Sequence, residues 1–342
     1  MRGRLRLPSR MLRTLVGAPG ALALVLLSSA QLISCSHPKP ESTPAFATGE
    51  RPAPLSAGAV RFAVIGDFGD GSADEMEVAR LVSSWNPAFI VTVGDNNYPD
   101  GAASQFEARV GAAYGAFIPG DHGPYGLGSA TPRFFPTLGN HDWRSSVGMQ
   151  PFIDYFRTPG TGRYYDVLLA DGRVHLFALD SDPHEPDGNE FDSVQGRWLT
   201  ARAAASTACV RIAAFHHAAY SSAEHGSTKR MQWPLRALGM DAVMAGHDHV
   251  YERLEVDGIP YFVDGFGGSS LYRFGTPLEQ SRARFNARHG AMLVTVSAGE
   301  TRYEGWSVAG ERVDSLSLPN RCTARAGEIV GTPINSPDAR PH

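Results

Sequence analysis

Five apolar runs of the 342-residue sequence each end in a cluster of acid, amide, phenol or imidazole side chains. The clusters are VIGDFGD with Asp67, TVGDNNY with Asp95 and Tyr98, TLGNHD with Asn140 and His141, AAFHHAAYSSAEHG with His216, His217 and His225, and MAGHDHVYER with His247 and His249. Carboxylate, amide oxygen and imidazole without thiolate form a mixed oxygen and nitrogen ligand set, which suits iron, manganese or zinc. The residue types therefore predict a metal site.

Each cluster has a simpler interpretation when it is taken alone. A Gly-Asp pair after a strand is often only a turn, in which the acid accepts a hydrogen bond from nearby backbone. A single histidine is more often a surface or core residue than a ligand. Because chance would have to put two aspartates, an asparagine and several histidines at successive strand ends, we favour one shared site.

Hydrophobic patterning predicts the elements that carry these clusters. Short Val, Ile, Phe and Leu runs alternate with longer amphipathic stretches, which is typical of strands interleaved with helices. We predict strands near 61–65, 88–93, 133–138, 173–180, 209–215 and 241–244, helices near 72–85, 102–116, 192–206 and 228–238, and strand pairs around Gly258 and at 290–298 and 301–309. In such sheets ligands bind outside the carboxyl ends of the strands, so the five loops can converge.

The ligand spacing favours two ions. His247 and His249 are two residues apart on a turn or extended backbone, so one can point to each ion, and Asp95 can bridge the pair. Two ions about 3.5–4 Å apart stabilise both the attacking and the leaving oxygen in phosphate ester hydrolysis. The residues alone therefore suggest a dinuclear hydrolase of phosphate esters.

The order GDFG, GDNNY, GNHD, strand-end histidine and GHDH resembles the calcineurin-like metallophosphoesterase superfamily. The resemblance implies an α/β fold, a four-layer α/β/β/α sandwich with two mixed central sheets. Most of that superfamily has an Asp-x-His first motif, whereas this chain has Gly69 at the histidine position. Purple acid phosphatases supply a tyrosine three residues after the bridging aspartate instead, and Tyr98 stands there. Within that branch, AEHGST is similar to the tartrate-resistant type and GHDHVYER to plant-type enzymes.

The resemblance also implies a role for each site residue. Ferric iron, Fe3+, would be held by Asp67, Asp95, Tyr98 and His249, and a divalent ion, Fe2+, Zn2+ or Mn2+, by Asp95, Asn140, His216 and His247. His141 and His225 would lie near the substrate phosphate, with His225 as general acid and His141 as phosphate contact. The alternative for His225 is a solvated loop residue. His217 would be a neighbour of the metal site or a packed residue.

The implied activity is hydrolysis of small-molecule phosphate monoesters at acid pH, in which a metal-bound hydroxide attacks phosphorus and a histidine protonates the leaving alcohol. A phosphodiesterase or nucleotidase on the same scaffold is the first alternative, because the dinuclear centre alone does not determine which ester is cleaved. Loops at 118–132 and 182–192 are expected to shape the pocket. A lipid-anchored protein that holds phosphate or metal without turnover is the second alternative, but it would be expected to lack part of the ligand set.

The N-terminal segment is typical of a secretory signal, since five arginines precede an apolar stretch at 22–27 that is too short to span a membrane. The sequence LISC, which ends at Cys35, resembles the bacterial lipoprotein box and predicts membrane attachment through a lipidated Cys35. A plain cleaved signal is the alternative. The predicted organisation is a signal peptide at 1–34, a tether rich in Pro, Ser and Ala at 35–57, a catalytic domain at 58–318 and an irregular tail at 319–342. The expected location is the bacterial envelope, periplasmic or at the cell surface.

Charge and cysteine content indicate further properties of the mature chain. Removal of residues 1–34 takes away five arginines and no acid, which moves the formal net charge from −4 to −9. We therefore expect no nucleic acid partner. In an oxidising compartment Cys209 and Cys322 are expected to form a disulfide that holds the C-terminal tail, although two unpaired thiols are the alternative. Nothing in the sequence indicates the oligomeric state.

Overall fold

The computed structural model describes residues 51–322, so the predicted signal peptide, the lipidated Cys35 and parts of the predicted tether and tail lie outside the described residues. The strands are β1 (Val60–Ile65), β2 (Ile90–Thr92), β3 (Phe134–Phe135), β4 (Tyr165–Leu169), β5 (Val174–Ala178), β6 (Val210–His217), β7 (Ala242–Gly246), β8 (Tyr251–Val256), β9 (Ile259–Asp264), β10 (Ser281–Phe285), β11 (Gly290–Ser297), β12 (Glu300–Ser307) and β13 (Arg312–Pro319). The α-helices are α1 (Ala73–Ser84), α2 (Ala103–Phe106), α3 (Ala112–Tyr114), α4 (Gln150–Phe156) and α5 (Val194–Ala205), and a π-helical turn over Glu107–Gly111 joins α2 to α3. Among these residues no helix is long and apolar enough to cross a lipid bilayer.

The strands form two mixed sheets. The first has the order β13-β12-β11-β1-β2-β3, in which β1, β2 and β3 are parallel and the others antiparallel to their neighbours. The second has the order β10-β8-β9-β7-β6-β5-β4, in which β5, β6, β7 and β9 are parallel. Within each sheet the parallel strands bring their carboxyl ends to one edge, where the polar clusters begin.

Apolar side chains fill three layers. The first lies between the sheets, where β1, β2 and β11 pack against β5, β6 and β7. The second covers the outer face of the first sheet with α1 to α4, and the third covers the outer face of the second sheet with α5. Because alternate residues of a strand point to opposite faces, β1 serves two layers, with Phe62 and Val64 inward and Ala63 and Ile65 outward. The predicted α/β/β/α sandwich is confirmed.

The prediction of a helix near 228–238 is wrong. A single 3-10 turn over Lys229–Met231 occupies the start of this segment. Proline disfavours a helical residue before it and lacks the N–H that a helix needs, so Pro234 prevents a continuous helix across the segment. The chain continues in turns, with backbone hydrogen bonds from Trp233 to Met231 and from Leu238 to Pro234, while Met231, Trp233 and Leu235 are buried at alternate positions. The apolar spacing that suggested a helix therefore belongs to a segment of successive turns.

Four elements were not predicted from the sequence: α4, β4, β10 and β13. β13 pairs with β12 at the edge of the first sheet and ends at Pro319, the first residue of the predicted irregular tail. Its alternating polar pattern, RVDSLSLP, suits an edge strand with one half-buried face.

The predicted disulfide is confirmed, and the alternative of two unpaired thiols is wrong. Cys209 directly precedes β6 in the second sheet, and Cys322 follows β13 in the first, with their Cα atoms 4.9 Å apart. Cys322 is buried in the layer between the sheets. The bond therefore links the two sheets.

Candidate metal centre

The carboxyl ends of the parallel strands bring the predicted site residues together. The first sheet carries Asp67 after β1, Asp95 and Tyr98 after β2, and Asn140 and His141 after β3. The second sheet carries His216 and His217 at the end of β6, His225 in the following loop, and His247 and His249 after β7. The seven residues predicted to bind metal form one connected cluster, in which each has a polar atom within 3.3 Å of another member.

The first group of ligand atoms surrounds the phenol of Tyr98. Its hydroxyl oxygen is 3.3 Å from Asp67 Oδ1, 3.2 Å from Asp95 Oδ2 and 3.0 Å from His249 Nε2. His249 Nε2 is also 3.3 Å from Asp67 Oδ1. These are the four residues predicted to hold ferric iron.

The second group surrounds Nε2 of His216. This nitrogen is 3.0 Å from Asn140 Oδ1, 3.2 Å from His247 Nδ1 and 3.3 Å from Asp95 Oδ2. Because Asp95 Oδ2 belongs to both groups, its position suits the predicted bridge between two ions. Oxygens of Asp67 and Asp95 and a nitrogen of His216 all lie within 4.8 Å of one another.

Both groups contain many lone pairs and few protons. His249 Nδ1 lies 2.7 Å from the carbonyl oxygen of Ser270, and His216 Nδ1 lies 2.9 Å from that of Val93. A carbonyl can only accept, so in each neutral ring Nδ1 carries the proton and Nε2 presents a lone pair to the cluster. Metal-binding histidines generally have this arrangement.

The distances also fit cations. With bonds of about 2.1 Å, neighbouring ligand atoms are about 3.0 Å apart in an octahedron and about 3.4 Å apart in a tetrahedron. The separations of 3.0–3.3 Å in the two groups fall within this range. The residues present therefore fit two metal ions in both chemistry and spacing.

The backbone aims these side chains through uncommon conformations. Asp67, Asp95 and His247 have φ values of 56°, 53° and 72°, in the left-handed region that few residues other than glycine adopt. Backbone amides then hold the carboxylates, since the N–H of His247 donates to Asp67 Oδ2 at 2.9 Å and that of His141 donates to Asp95 Oδ1 at 2.7 Å. Strained residues of this kind cluster at functional sites.

The structure explains why Gly69 carries no ligand. Its φ of +76° is left-handed, and a Cβ at this position would overlap the backbone carbonyl oxygen of Asn96. The backbone N–H of Tyr98 donates to the carbonyl of Gly69 at 3.0 Å, so the two loops are in direct contact. Any side chain at Gly69 would separate these loops. Tyr98 instead reaches the site from the second loop.

The charges of the site call for a cation. Burial and the carboxylates of Asp95 and Asp67 raise the pKa of the Tyr98 phenol well above its usual value. Burial acts to lower the pKa of His216, but the same two carboxylates outweigh it and raise that pKa to about 10. Both shifts show that the cluster of acids favours positive charge and opposes a further negative one. A bound cation would meet this requirement.

The two histidines predicted to act on the substrate flank the cluster from opposite sheets. The ring centroid of His141 lies 4.2 Å from that of Tyr98, and its Nε2 is 3.8 Å from Asp95 Oδ2. The exposed ring of His225 stacks on His247 at a centroid distance of 4.1 Å. Both imidazoles therefore lie beside candidate ligand residues.

His217 is buried next to the cluster rather than part of it. Its Nδ1 lies 2.9 Å from Ser181 Oγ, and its ring packs 4.4 Å from His247. Burial lowers its pKa to about 2, and the charges of His216 and Arg230 act in the same direction. His217 is therefore a neutral packing neighbour in this arrangement.

Three neighbours of the site were not predicted from the sequence. Tyr272 stacks on His249 with ring centroids 3.9 Å apart. Arg144 lies against His141, with a guanidinium nitrogen 2.8 Å from Nε2. Asp248, between the two histidines of GHDH, accepts the backbone N–H of His225 at 2.8 Å. Of these three, only Asp248 and Arg144 could have been identified as site neighbours from the sequence, because Asp248 lies within GHDH and Arg144 follows His141 by three residues.

The two loops expected to shape the pocket differ in their surroundings. Ser181, just before the 182–192 loop, contacts His217. The side-chain amide of Asn189, within that loop, donates to the carbonyl oxygen of Ser181 at 3.0 Å. The 118–132 loop instead contacts Phe117 and Glu107. Contacts of the described residues therefore connect the 182–192 loop, rather than the 118–132 loop, to the cluster of candidate ligands.

The chain matches the calcineurin-like phosphoesterase family over residues 60–251, more than half of its 342 residues. Purple acid phosphatase 17 of Arabidopsis thaliana is 27% identical over 246 residues, which cover 64% of this chain and 71% of the relative. Tartrate-resistant acid phosphatase type 5 of Homo sapiens is 26% identical over 321 residues, which cover 81% of this chain and 94% of the relative.

Solved structures share the fold. Purple acid phosphatase PPD1 from yellow lupin (Lupinus luteus) seeds has a TM-score of 0.61 at 18% identity, with 85% of this chain and 59% of that chain covered. GAP50, the anchor in the inner membrane complex of Plasmodium, has a TM-score of 0.57 at 16% identity, with 78% and 90% covered. Because one fold can serve such different proteins, the function must be argued from the site. The chain belongs to the calcineurin-like phosphoesterase family and is a metal-dependent phosphoester hydrolase.

Proposed function

We propose that the protein hydrolyses phosphate monoesters at a dinuclear centre of Fe3+ and a divalent ion, as a purple acid phosphatase does. The observation that carries the proposal is the position of Tyr98, whose hydroxyl lies 3.0–3.3 Å from atoms of three other proposed iron ligands. Gly69, at the position where other family members have a histidine ligand, has no room for a side chain. The names of the relatives at 26–27% identity agree with this proposal.

Each ion has its own proposed set of ligands. Fe3+ would be held by Asp67, Asp95, Tyr98 and His249, and the divalent ion, Fe2+, Zn2+ or Mn2+, by Asp95, Asn140, His216 and His247. When bound, the ions would acidify a water molecule and neutralise the charge of the phosphate. Phenolate bound to Fe3+ would give a visible charge-transfer band.

The remaining chemistry is proposed for two histidines of the chain. His225 would donate a proton to the oxygen of the leaving alcohol, and Asp248 holds its backbone in place through the 2.8 Å hydrogen bond. His141 would bind a phosphate oxygen, since its backbone N–H is fixed on Asp95 at 2.7 Å. Burial lowers the pKa of the His141 imidazole from its ordinary value of 6.5, so the negative charge of a neighbouring phosphate would be needed to favour its protonated form.

Metal analysis and a visible spectrum of the purified protein test the centre. We expect one iron per chain and a charge-transfer band that disappears in Tyr98→Phe. The control is Tyr272→Phe, which removes a hydroxyl from a ring stacked on the same His249 and should keep the band. A colourless, iron-free protein under oxidising conditions would refute the iron-tyrosinate proposal.

Comparison of a phosphate monoester with a diester under identical conditions tests the reaction. We expect the monoester to be favoured and Asp95→Asn to abolish both metal binding and turnover. Preference for the diester would favour the phosphodiesterase alternative, whereas an Asp95→Asn variant with full metal content and activity would contradict the site assignment.

We also propose that the protein is exported and anchored to the bacterial envelope through a lipidated Cys35. The disulfide between Cys209 and Cys322 supports an oxidising compartment. Metabolic labelling with a radioactive fatty acid should mark the full-length protein but not Cys35→Ala. Equal labelling of both would contradict the anchor.

A further inference from the structure

We propose that Arg144 binds a second anionic group of the substrate, a carboxylate or a further phosphate carried by the leaving group. The proposal rests on the proposed phosphomonoesterase function and narrows its substrate class to esters whose leaving group is itself an anion.

Arg144 lies at the edge of the proposed metal centre. One guanidinium nitrogen is 2.9 Å from Nδ1 and 2.8 Å from Nε2 of His141. Because the two distances are similar, the guanidinium faces the imidazole ring and is not directed at the lone pair of a single ring nitrogen. The same ring packs 4.2 Å from that of Tyr98, and its Nε2 is 3.8 Å from Asp95 Oδ2. Only one side chain therefore separates the guanidinium from two of the proposed iron ligands.

Arg144 has no carboxylate partner. Within residues 51–322 its side chain makes no ion pair, and its polar contacts are the two with His141. Arg253, by contrast, makes two hydrogen bonds to Asp314, at 2.6 and 3.0 Å. Because a guanidinium keeps its charge at every working pH, the charge of Arg144 remains available to an anionic group of a ligand.

Two acids near Trp143 and His184, on the same side of the site, are buried and hydrogen-bonded. Trp143, the preceding residue, donates its indole N–H to Asp180 at 3.0 Å, and Asp180 is fully buried. Asp182 is 3% exposed and accepts the backbone N–H of His184 at 2.9 Å. The His184 side chain itself is 76% exposed and lies 6.0 Å from the Trp143 ring. This part of the rim therefore presents indole, imidazole and guanidinium groups rather than carboxylates.

The exposure of Arg144 favours contact with the leaving group over contact with the transferred phosphate. Asp67 and Asp95 are only 0% and 2% exposed, so the transferred phosphate must lie deep in the cluster. The rest of the ester then extends toward solvent past the rim, where Arg144 is exposed. A charge-assisted hydrogen bond to a second anion there would favour such esters by about tenfold.

Two matched esters test the proposal, para-carboxyphenyl phosphate and para-carbamoylphenyl phosphate, which differ by one charge at nearly the same shape. We expect the wild type to prefer the carboxylate ester in kcat/KM, and Arg144→Gln to reduce that preference about tenfold. The control Arg80→Gln removes the same charge from the exposed face of α1 and should keep the preference. Added salt should weaken the preference of the wild type. Binding of the corresponding benzylphosphonates, measured by calorimetry, should give the same ratio without turnover.

Each result has a distinct meaning. Equal kcat/KM for the two esters in the wild type, or an unchanged ratio in Arg144→Gln, would overturn the proposal and leave the phosphomonoesterase in place. An equal loss on both esters would also overturn it, because Arg144 would then act through His141 or on the transferred phosphate. If the metal-loaded protein cleaved neither ester, the proposed function would fail, whereas a charge preference between the phosphonates that depends on Arg144 would still support this site.

Discussion

Replacement of Gly69 by alanine is expected to destabilise the protein more than the same replacement at Gly258. Both glycines have a left-handed backbone, with φ values of +76° and +79°. Nothing lies within 4 Å of a Cβ added at Gly258, whereas a Cβ at Gly69 would overlap the carbonyl oxygen of Asn96 and lie 2.6 Å from its carbonyl carbon. The pair therefore separates the cost of backbone conformation from the cost of space.

The magnitude follows from the difference between the two sites. The left-handed conformation costs an alanine about 1–2 kcal/mol at either position, and the change in unfolded-chain entropy is the same for both. Only Gly69 adds the cost of overpacking, about 1–3 kcal/mol. Asn96 cannot move away easily, because its backbone N–H donates to Asp142 at 3.2 Å and its side-chain amide donates to the carbonyl of Thr137 at 2.8 Å. Gly69→Ala should therefore lower the free energy of unfolding by about 1–3 kcal/mol more than Gly258→Ala.

Urea unfolding of the two variants and the wild type measures this difference. The measurement is made with excess chelator, because metal that binds only the folded state would add to the free energy of unfolding and mask the change.

Equal losses in both variants would refute the conclusion that the space at Gly69 is closed. This result would also refute the explanation that Tyr98 supplies a ligand because Gly69 has no room for one. The same reasoning predicts that Gly69→His does not restore iron binding to Tyr98→Phe, since the imidazole cannot enter without displacing the Asn96 loop. Recovery of one iron per chain in that double variant would contradict it.

Three further changes have expected outcomes. Replacement of Cys209 and Cys322 by alanine should lower the free energy of unfolding in urea by about 4–5 kcal/mol, because the disulfide spans 113 residues; equal stability would contradict this. Burial raises the pKa of Glu75 from 4.5 to about 7, so its protonated form is favoured in the fold. The wild type should therefore lose up to about 3 kcal/mol relative to Glu75→Gln as pH rises through this interval, and parallel stability curves would exclude the effect. Asp248→Ala releases the loop that carries His225, so kcat should fall at least about tenfold at unchanged metal content, as kinetics and metal analysis would show.

Elements with a local apolar pattern could be predicted from the sequence. β1 alternates its side chains between two buried layers, and α1 begins where the Ser72 hydroxyl accepts the N–H of Glu75 at 3.1 Å. β13 could not be predicted in this way, because half of its residues face solvent and its partner β12 supplies its order. The helix predicted at 228–238 does not form because Pro234 prevents a continuous helix, and the chain makes a series of turns although its apolar spacing is compatible with a helix.

The candidate ligands could be predicted because each lies directly at a strand end, where a few residues of sequence determine its place. The surroundings of the ligands depend on contacts between loops that are distant in the chain. Tyr272, for example, reaches His249 from the loop before β10. The closed space at Gly69 likewise depends on Asn96, which belongs to the loop after another strand.

The two sheets contribute chemically different halves of the proposed centre. All of its proposed oxygen ligands follow β1, β2 and β3 of the first sheet, and all of its imidazole ligands follow from β6 and β7 of the second. Metal binding would therefore connect the sheets at this edge. The disulfide connects the sheets at the opposite end of β6. Cys209 precedes this strand and His216 lies near its carboxyl end, and an eight-residue strand spans about 26 Å. Loss of metal should therefore loosen the contact between the sheets at the site, while the disulfide maintains it at the opposite end.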